Sequence, residues 1–490
     1  MIVKNANVYD PKTETFSCRS LYIHQGIILD DQLSLESINP SHEIVDLTGK
    51  YFYPSFFDSH CHLVGTGKIM NSIRLDHIQN KHDLVKLLND HHLQITFRGW
   101  DENLLSFFPD RSFLDEIVSD RSLLLVRKCG HVGTVNSHFI KEYDIGTLEG
   151  LDGSILKTGL LQERALFEAT KKIPFHQDQE IKMFENSSEV FLKKGVTAVH
   201  SEDWNVRTFP KMSPYLSQQK LIRLFETICI SNKNDLLEWV LIRNKTKTSS
   251  FLNISSIKLY LDGSLGAKTA FLKKPYHNDN QRGILYYSVE ELSEIIAIAE
   301  RESISITIHV IGDAALDVAL SAFSKSIHTG NPLRHKLIHV QLASDEQLQR
   351  ILDLNLYVAI QPSFLTSDQL IAPLLLGEKR SKEIGYPFQK MHSLGINLSF
   401  STDSPIEALS PFTTLASSDL WIDRKKAFYY YSEKSAESVF QENKLGCLTK
   451  KAYADGFVLS KNLFTIPFTS ISNVIPELVM FHGDWFKGES

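Results

Sequence analysis

The sequence predicts an α/β protein: a (β/α)8 barrel, or TIM barrel, with a small β-sandwich domain formed from the N- and C-terminal segments. Three observations support this fold. A long middle region alternates apolar strands with helical stretches, polar residues recur at the ends of those strands, and both chain ends contain short strands. Alternating strands and helices are typical of a parallel sheet that is covered by helices.

The first and last segments of the chain are rich in short strands and show little helical periodicity. The strand-like pieces are "MIVKNANVYD", "SLYIHQGIILD" and "HEIVDLTGKYFYP" at one end, and "YADGFVLS" and "ELVMFHGDWFKG" at the other. Both ends carry alternating apolar residues that need burial. We therefore predict one β-sandwich domain assembled from residues 1–54 and 431–490.

The middle region, residues 55–430, is predicted to form the barrel, with an insertion at about 64–190. Its apolar strands are "FYPSFFDSHCHL", "GVTAVHSED", "SSIKLYLDGS", "SISITIHVIGD", "HKLIHVQLA", "LYVAIQPSF" and "INLSFSTDSP". Helical patterns such as "VEELSEIIAIAERES" lie between most of them. In a barrel of this kind, chemistry gathers at the C-terminal ends of the strands. A doubly wound open sheet is the alternative architecture.

Composition excludes several functional classes for a chain of 490 residues. A net charge of -6 and a pI near 6.3 give no electrostatic footprint for nucleic acid or an anionic membrane. No apolar run is long enough to span a bilayer, and "MIVKNANVYD" has no signal-like apolar region. Five scattered cysteines without a CxxC pair favour a reducing cytoplasm. The sequence leaves a homo-oligomer open.

Two histidines one residue apart follow the first apolar strand, in "FFDSHCHL". In an extended segment side chains alternate between faces, so His60 and His62 point the same way and Cys61 points the other way. Two neutral imidazoles on one face can bind a single metal ion. A polar strand end with no ligand role is the alternative explanation for this pair alone.

Other strands of the middle region also carry polar residues at their ends. These residues are His200, Lys258, His309, His339, Gln361 and Asp403. Each alone has a plain explanation, such as a hydrogen-bonded histidine or an aspartate that caps a helix. A buried ammonium without a partner is costly, however, so Lys258 must be paired, deprotonated or modified. Taken together, imidazoles, a lysine and an aspartate at one barrel end predict a metal site suited to zinc.

The chain resembles the amidohydrolase superfamily over nearly its whole length. Within it, the chain is similar to the YtcJ-like branch (amidohydrolase family 3), which includes N-substituted formamide deformylases. The segments that carry the resemblance occur in the order of the branch: "PSFFDSHCHL", "RGWDENLL", "GHVGTVNSHFI", "IKLYLDGSLGAKTAFL", "IHVIGDAALD", "HKLIHVQLASDEQL", "STDSPIEALSPF" and "LGCLTKKAYADGFVLSKNLFTIP".

The resemblance implies a ligand set for one or two divalent metal ions, most simply zinc. The implied ligands are His60, His62 and Asp403 for the more buried ion, His309 and His339 for the second, and Lys258, carboxylated on its side-chain nitrogen, as a bridge. Without carboxylation, we expect a single metal or none, with Lys258 paired to an acid such as Asp403.

The expected activity is a metal-dependent hydrolase acting on a carbon–nitrogen bond other than a peptide bond, in an amide or an N-substituted formamide. A metal-activated hydroxide would attack the carbonyl carbon, and Asp403 would move the proton to the leaving nitrogen. Trp100 and His131, and less strongly His200, are candidate contacts for a small-molecule substrate. The alternatives are a hydrolase of cyclic amides or esters and a non-catalytic metal-binding scaffold.

Overall fold

The structure is a computed structural model that describes residues 1–30, 43–92, 94–128, 130 and 132–488. The chain divides into two compact units. One contains Met1–Val64 and Phe184–Ser490, and the other contains Gly65–Met183. The first unit holds the barrel and the strands from both chain ends, and the second is the insertion.

The strands, in chain order, are β1 (Ile2–Asp10), β2 (Thr15–His24), β3 (Ile27–Asp30), β4 (Ile44–Asp46), β5 (Tyr51–Pro54), β6 (Phe56–Cys61), β7 (Ile73–Arg74), β8 (Thr96–Trp100), β9 (Leu124–Arg127), β10 (Val132–Val135), β11 (Leu160–Gln162), β12 (Val196–Ser201), β13 (Arg223–Cys229), β14 (Leu252–Tyr260), β15 (Ser305–Val310), β16 (Lys336–His339), β17 (Tyr357–Ile360), β18 (Asn397–Phe400), β19 (Gly456–Leu459), β20 (Leu478–Phe481) and β21 (Asp484–Lys487).

The α-helices are α1 (Leu63–Met70), α2 (Lys81–Asp90), α3 (Glu102–Leu105), α4 (Arg111–Ile117), α5 (Ser137–Glu142), α6 (Glu163–Lys172), α7 (Gln177–Lys193), α8 (Phe209–Leu216), α9 (Lys233–Arg243), α10 (Val289–Arg301), α11 (Asp313–Ser326), α12 (Asp345–Asp353), α13 (Pro362–Ser367), α14 (Ile371–Leu376), α15 (Glu378–Ile384), α16 (Phe388–Leu394), α17 (Pro411–Ser418), α18 (Arg424–Tyr430), α19 (Glu433–Glu437) and α20 (Phe468–Ile471). Within the described residues, none of them has both the length and the apolar character that crossing a membrane requires.

The barrel is a parallel sheet of eight strands in the order β18-β17-β16-β15-β14-β13-β12-β6. Hydrogen bonds between the ends of its first and last strands close it almost completely. The backbone N–H of Asp403 donates to the carbonyl of His60 (3.0 Å), and that of His62 donates to Ser404 (2.8 Å). The prediction of a (β/α)8 barrel is therefore confirmed.

One barrel strand, β13, has no counterpart among the strands that the sequence predicts. Its sequence, "RLFETIC", contains Arg223 and Glu226, which interrupt the apolar pattern. Both side chains are nevertheless buried. The pattern fails here because each charged group has a buried partner, which the sequence alone does not show.

Strands from both ends of the chain lie in one sheet, in the order β21-β20-β19-β5-β1-β2-β3, with β4 paired to β1. The two ends meet where β5 pairs antiparallel with β19, and Tyr53 stands opposite Phe457 in that pairing. The rings of these two residues stack with centroids 5.3 Å apart. The arrangement as a two-layer sandwich stays a prediction.

The insertion has its own sheet of five strands, in the order β11-β10-β9-β8-β7. Its cores are built from buried aliphatic and aromatic side chains, among them Leu84, Phe97, Leu114, Leu125 and Phe139. The insertion therefore has a sheet and cores of its own, and in the chain it lies between the first two barrel strands.

Candidate metal centre

Apart from His62, which directly follows β6, four of the predicted ligands lie on barrel strands, and the fifth follows the last strand. His60 is near the end of β6, Lys258 lies on β14, His309 on β15 and His339 at the end of β16, while Asp403 comes shortly after β18. All five side chains are buried. Because the strands are parallel, their C-terminal ends open on the same face of the barrel.

Asp403 is the carboxylate that joins the two histidines of the HxH segment. Its Oδ1 atom lies 3.1 Å from Nε2 of His60 and 3.4 Å from Nε2 of His62. The imidazole of His62 is more exposed than that of His60, at 23% against 3%. The centre is therefore reached by solvent beside His62.

Lys258 pairs with an acid, but the acid is Glu202 and not Asp403. The Nζ atom of Lys258 contacts both carboxylate oxygens of Glu202. The same carboxylate lies 3.2 Å from Nδ1 of His60 and 3.7 Å from Nε2 of His62, in each case measured to Oε1. The ammonium of Lys258 also lies 4.5 Å from the centre of the Tyr260 ring.

His309 and His339 form the other side of the centre, with ring centroids 4.6 Å apart. Nδ1 of His339 lies 2.7 Å from Oε1 of Gln361, an oxygen that can only accept, so Nδ1 carries the proton. Nε2 of His309 lies 3.2 Å from the carbonyl of Gly263 and is protonated for the same reason. Each ring thus keeps one nitrogen lone pair for a metal.

Burial keeps most of these imidazoles neutral, which is the state that binds metal. It lowers the pKa of His60 and His309 well below the ordinary value, with Lys258 and His339 respectively adding to the effect. It also lowers the pKa of His339 to about 4. For His62 burial is outweighed by the carboxylates of Asp403 and Glu202, and the pKa rises to about 9.

Two of the candidate ligands have a left-handed backbone. The φ angle is +74° at His339 and +57° at Asp403. Residues other than glycine rarely adopt this conformation, and it costs about 1–3 kcal/mol at each such residue. Such outliers occur mostly where the surrounding structure holds a functional side chain in place.

The donor atoms fit a divalent metal. Among the described residues, two sets of three side chains hold their ligand atoms within 4.8 Å of one another: His60, His339 and Asp403, and His60, His62 and Glu202. Neutral imidazoles and carboxylates are ligands that zinc accepts. Both sets share His60, so together they bring five donor side chains into one centre.

The candidate substrate contacts fall in different places. His131 lies outside the described residues. Trp100 is buried within the insertion, where its indole N–H donates to the carbonyl of Leu125 (3.0 Å). His200 lies inside the barrel, with Nε2 2.6 Å from Thr227 Oγ1 and Nδ1 3.1 Å from Nζ of Lys336. Whether Trp100 or His131 contacts a substrate stays a prediction.

Glu202 is the member of the centre that the sequence reasoning missed. It lies in "HSED", directly after β12, a segment in which His200 was the predicted candidate. Strand alternation would place His200 and Glu202 on the same face, but β12 ends at Ser201, so the alternation does not extend to Glu202. Its position one residue past a barrel strand could have indicated a site residue, since the loops at that end of the barrel build the site.

The chain forms a nearly closed parallel barrel with imidazoles and carboxylates that could hold a metal at its C-terminal end, the position of active sites in barrels of this kind. The model of the amidohydrolase family matches residues 43–485 of the chain. The chain therefore belongs to the amidohydrolase family.

Named relatives span almost the same length. The chain is 26% identical to "Putative amidohydrolase YtcJ" of Bacillus subtilis (strain 168) over 94% of both chains. It is 21% identical to an N-substituted formamide deformylase of Arthrobacter pascens, over 84% of this chain and 82% of that protein. A metal-dependent hydrolase from Pyrococcus horikoshii OT3 is 28% identical, with a TM-score of 0.81 over 96% of this chain and 99% of that one.

Proposed function

We propose that the protein hydrolyses a carbon–nitrogen bond in a small-molecule amide or N-substituted formamide, in a reaction that depends on a divalent metal. The observation that carries this proposal is the convergence of His60, His62, His309, His339 and Asp403 at one end of the barrel. The relative named as an N-substituted formamide deformylase supports this substrate class.

The metal's contribution, when it is bound, is Lewis acidity, which makes water nucleophilic at neutral pH and polarises a carbonyl oxygen. His60, His62, His309 and His339 would hold it. Asp403 has the protonation state of a general base. Burial would raise its pKa, but contacts with His60 outweigh burial and hold the pKa well below the ordinary value.

An ionised Asp403 beside the histidines can take a proton from the attacking water and return it to the leaving nitrogen. No cysteine nucleophile is needed. Cys61, between the two histidines in sequence, is fully buried, and burial raises the pKa of its thiol well above the ordinary value. A protonated, buried thiol is a poor nucleophile.

Zinc is the metal we propose, because imidazole and carboxylate donors suit it. A carboxylate that joins two metal ions has two sources in this centre. One is a carbamate on Lys258, which the family resemblance implies, and the other is the side chain of Glu202. We also propose a cytoplasmic location, since Cys18, Cys61, Cys229 and Cys447 are all free.

The test is a substrate panel run before and after metal removal. We expect amides or N-substituted formamides to be hydrolysed, the activity to be lost on chelation, and zinc to restore it. Turnover of cyclic amides or esters alone would point to another metal-dependent hydrolase. Bound metal with no turnover of any class would point to a non-catalytic scaffold.

The proton-transfer role of Asp403 has its own test. Asp403→Asn should lower kcat by about 100- to 10,000-fold, the usual contribution of a general acid–base residue. Asp345→Asn is the control, because Asp345 is an exposed carboxylate that pairs with the exposed Lys390. An Asp403→Asn enzyme with bound metal and near-normal kcat would show that another group moves the proton.

A further inference from the structure

Glu202 lies beside both histidines of the HxH segment and beside Lys258. Its side chain is buried, and Oε1 lies 3.2 Å from Nδ1 of His60 and 3.7 Å from Nε2 of His62. These three residues form one of the two sets whose ligand atoms lie within 4.8 Å of one another. A buried carboxylate that faces two imidazoles in this way has the geometry of a metal ligand.

The backbone of Glu202 also orients one of these imidazoles. Nδ1 of His62 lies 3.3 Å from the carbonyl oxygen of Glu202, which can only accept a hydrogen bond. With Nδ1–H directed at this carbonyl, Nε2 is the nitrogen that faces the carboxylates of Glu202 and Asp403, and it is the one left to bind a metal once its own proton is lost. One residue therefore orients the ring of His62 and presents a carboxylate to its Nε2 atom.

Lys258 is committed to this carboxylate. Its Nζ atom contacts both oxygens of Glu202, and the lysine side chain is fully buried. A carboxyl group added to Nζ would place a second anion directly against Glu202. Two like charges at such short separation in a buried site repel strongly. Without a metal ion between them, a carbamate on Lys258 would therefore disfavour the present position of Glu202.

We propose that Glu202 is a direct ligand of the metal held by His60 and His62, and that it takes the place of a carbamate on Lys258. Lys258 then acts as the buried counter-charge that holds the Glu202 carboxylate in position. This inference rests on the proposed function only in that both need the metal centre.

Metal binding and carbamate content test this directly, with no substrate present. We would reconstitute the metal-free protein with zinc, titrate its affinity, count zinc per chain by elemental mass spectrometry, and record carbon-13 NMR spectra in labelled bicarbonate. The wild type should bind zinc and show no carbamate resonance. Glu202→Gln should lose zinc affinity by more than about 100-fold, since even outer-shell partners cost about 10- to 100-fold.

Glu226→Gln is the matched control. Glu226 is also buried and lies in the middle of the neighbouring strand β13, but its Oε1 accepts from the backbone N–H groups of Asp203 (2.9 Å) and Trp204 (3.1 Å). It should bind zinc as the wild type does. Loss of zinc in this control to the same extent as in Glu202→Gln would overturn the proposal, because the effect would then not be specific to Glu202.

Lys258→Met separates the two carboxylate sources. If the lysine is only a counter-charge, zinc affinity falls by no more than about 10- to 100-fold, and added acetate or propionate does not restore it. A carbamate resonance that disappears in Lys258→Met, rescue by a short carboxylic acid, or normal zinc binding by Glu202→Gln would each overturn the proposal.

The carbamate spectrum of the wild type and the substrate panel give independent results. If Glu202→Gln fails to fold, the wild-type spectrum decides, because zinc-loaded protein either shows a carbamate carbon or does not. Failure to hydrolyse any amide would refute the proposed function and leave the zinc and carbamate results unaffected. Amide hydrolysis by a carbamylated enzyme would refute only the role of Glu202.

Discussion

The imidazole of His339 is oriented by a hydrogen bond with the side chain of Gln361. Oε1 of Gln361 lies 2.7 Å from Nδ1 of His339, and its Nε2 donates to Ser401 Oγ (2.9 Å). Gln361 is itself fully buried. The amide therefore fixes both the tautomer and the rotation of a candidate ligand, as the outer partners of metal-bound histidines commonly do.

Replacing Gln361 should weaken the metal centre without removing a ligand. Gln361→Met keeps the volume but removes the acceptor, so we expect zinc affinity to fall by about 10- to 100-fold. Zinc titration of the metal-free protein measures this. Gln349→Met is the control, since the amide of Gln349 donates to Asp353 on an exposed helix face. Unchanged affinity in Gln361→Met would mean that packing alone orients His339.

At the scale of single residues, the sequence predicts side chains whose type and strand position agree. His60, His309, His339 and Asp403 meet this condition, and the structure brings them together. Glu202 was not predicted, because an acidic residue just beyond a strand end is common in loops. Its distances to two histidines depend on how strands pair across the barrel, which no local pattern contains.

At the scale of elements, the seam between β6 and β18 depends on Asp58. Its carboxylate accepts from the backbone N–H of Thr402 (3.1 Å), from Thr402 Oγ1 (2.7 Å) and from the hydroxyl of Tyr431 (3.0 Å). Just beyond these bonds, His60 lies on β6 and Asp403 follows β18. The seam therefore sets the separation of two candidate ligands.

Asp58→Ala should destabilise the protein strongly, because it leaves several buried donors without an acceptor. With about 1–3 kcal/mol for each unsatisfied group, we expect a loss of at least about 3 kcal/mol in the free energy of unfolding. Tyr431→Phe, which removes only one of the bonds, should cost about 1 kcal/mol. Urea unfolding of the metal-free proteins compares them. Equal losses in the two variants would contradict the central role of Asp58.

A second polar contact lies inside the barrel, between β12 and β16. Nζ of Lys336 lies 3.1 Å from Nδ1 of His200 and donates to Ser438 Oγ (2.9 Å). Burial lowers the pKa of Lys336 from 10.5 to about 7, and the charge of Glu202 opposes this only partly. The barrel interior thus contains a lysine that is half-neutral near pH 7.

This lysine should make stability depend on pH. Because the pKa is lower in the folded protein, the unfolded chain binds more protons between about pH 7 and 10.5, and stability rises with pH across that window. The full effect is up to about 5 kcal/mol for the difference between the two pKa values. Charged below both pKa values, Lys336 destabilises the fold.

Lys336→Met should flatten that part of the profile relative to the wild type. Urea unfolding at pH 7.5 and at pH 9.5, which lie inside the window of about 7 to 10.5, gives the comparison. Lys390→Met serves as control, because Lys390 is exposed and pairs with Asp345. A wild-type profile with the same slope as Lys336→Met would show that the lysine is not the group that titrates.

Elements were predicted where their apolar pattern is local, and they were missed where it is not. Seven barrel strands carry continuous apolar runs, whereas β13 has Arg223 and Glu226 among buried residues. Glu226 accepts from two backbone N–H groups, and Arg223 has an acidic partner far along the chain. Such partners offset the cost of burying charged side chains on a strand. They can be identified only once the fold is known.

At the scale of the whole molecule, the barrel is joined to the sheet of the chain ends by a buried ion pair. Nε of Arg223 lies 2.6 Å from Oδ2 of Asp455, and the two side chains are 1% and 2% exposed. The ring centre of Tyr453 lies 3.6 Å from the guanidinium carbon. Asp455 also accepts from the backbone N–H of His482 (2.8 Å).

Replacing either member of this pair should lower the free energy of unfolding. Arg223→Met leaves a buried carboxylate without its partner, and Asp455→Leu leaves a buried guanidinium, so each should cost about 3–5 kcal/mol. The double variant should cost less than the sum of the two, because it leaves neither charge unpaired. Urea unfolding of the four proteins completes the double-mutant cycle.

The exposed pair Lys390–Asp345 is the reference for this cycle, and its coupling should be within about 1 kcal/mol of zero. Strong coupling between Arg223 and Asp455 with one shared unfolding transition would show that the barrel and the terminal sheet unfold together. Additive losses in the cycle would contradict this, because the two sides of the contact would then contribute independently. In that case the stacked rings of Tyr53 and Phe457 would be the stronger link between the two ends of the chain.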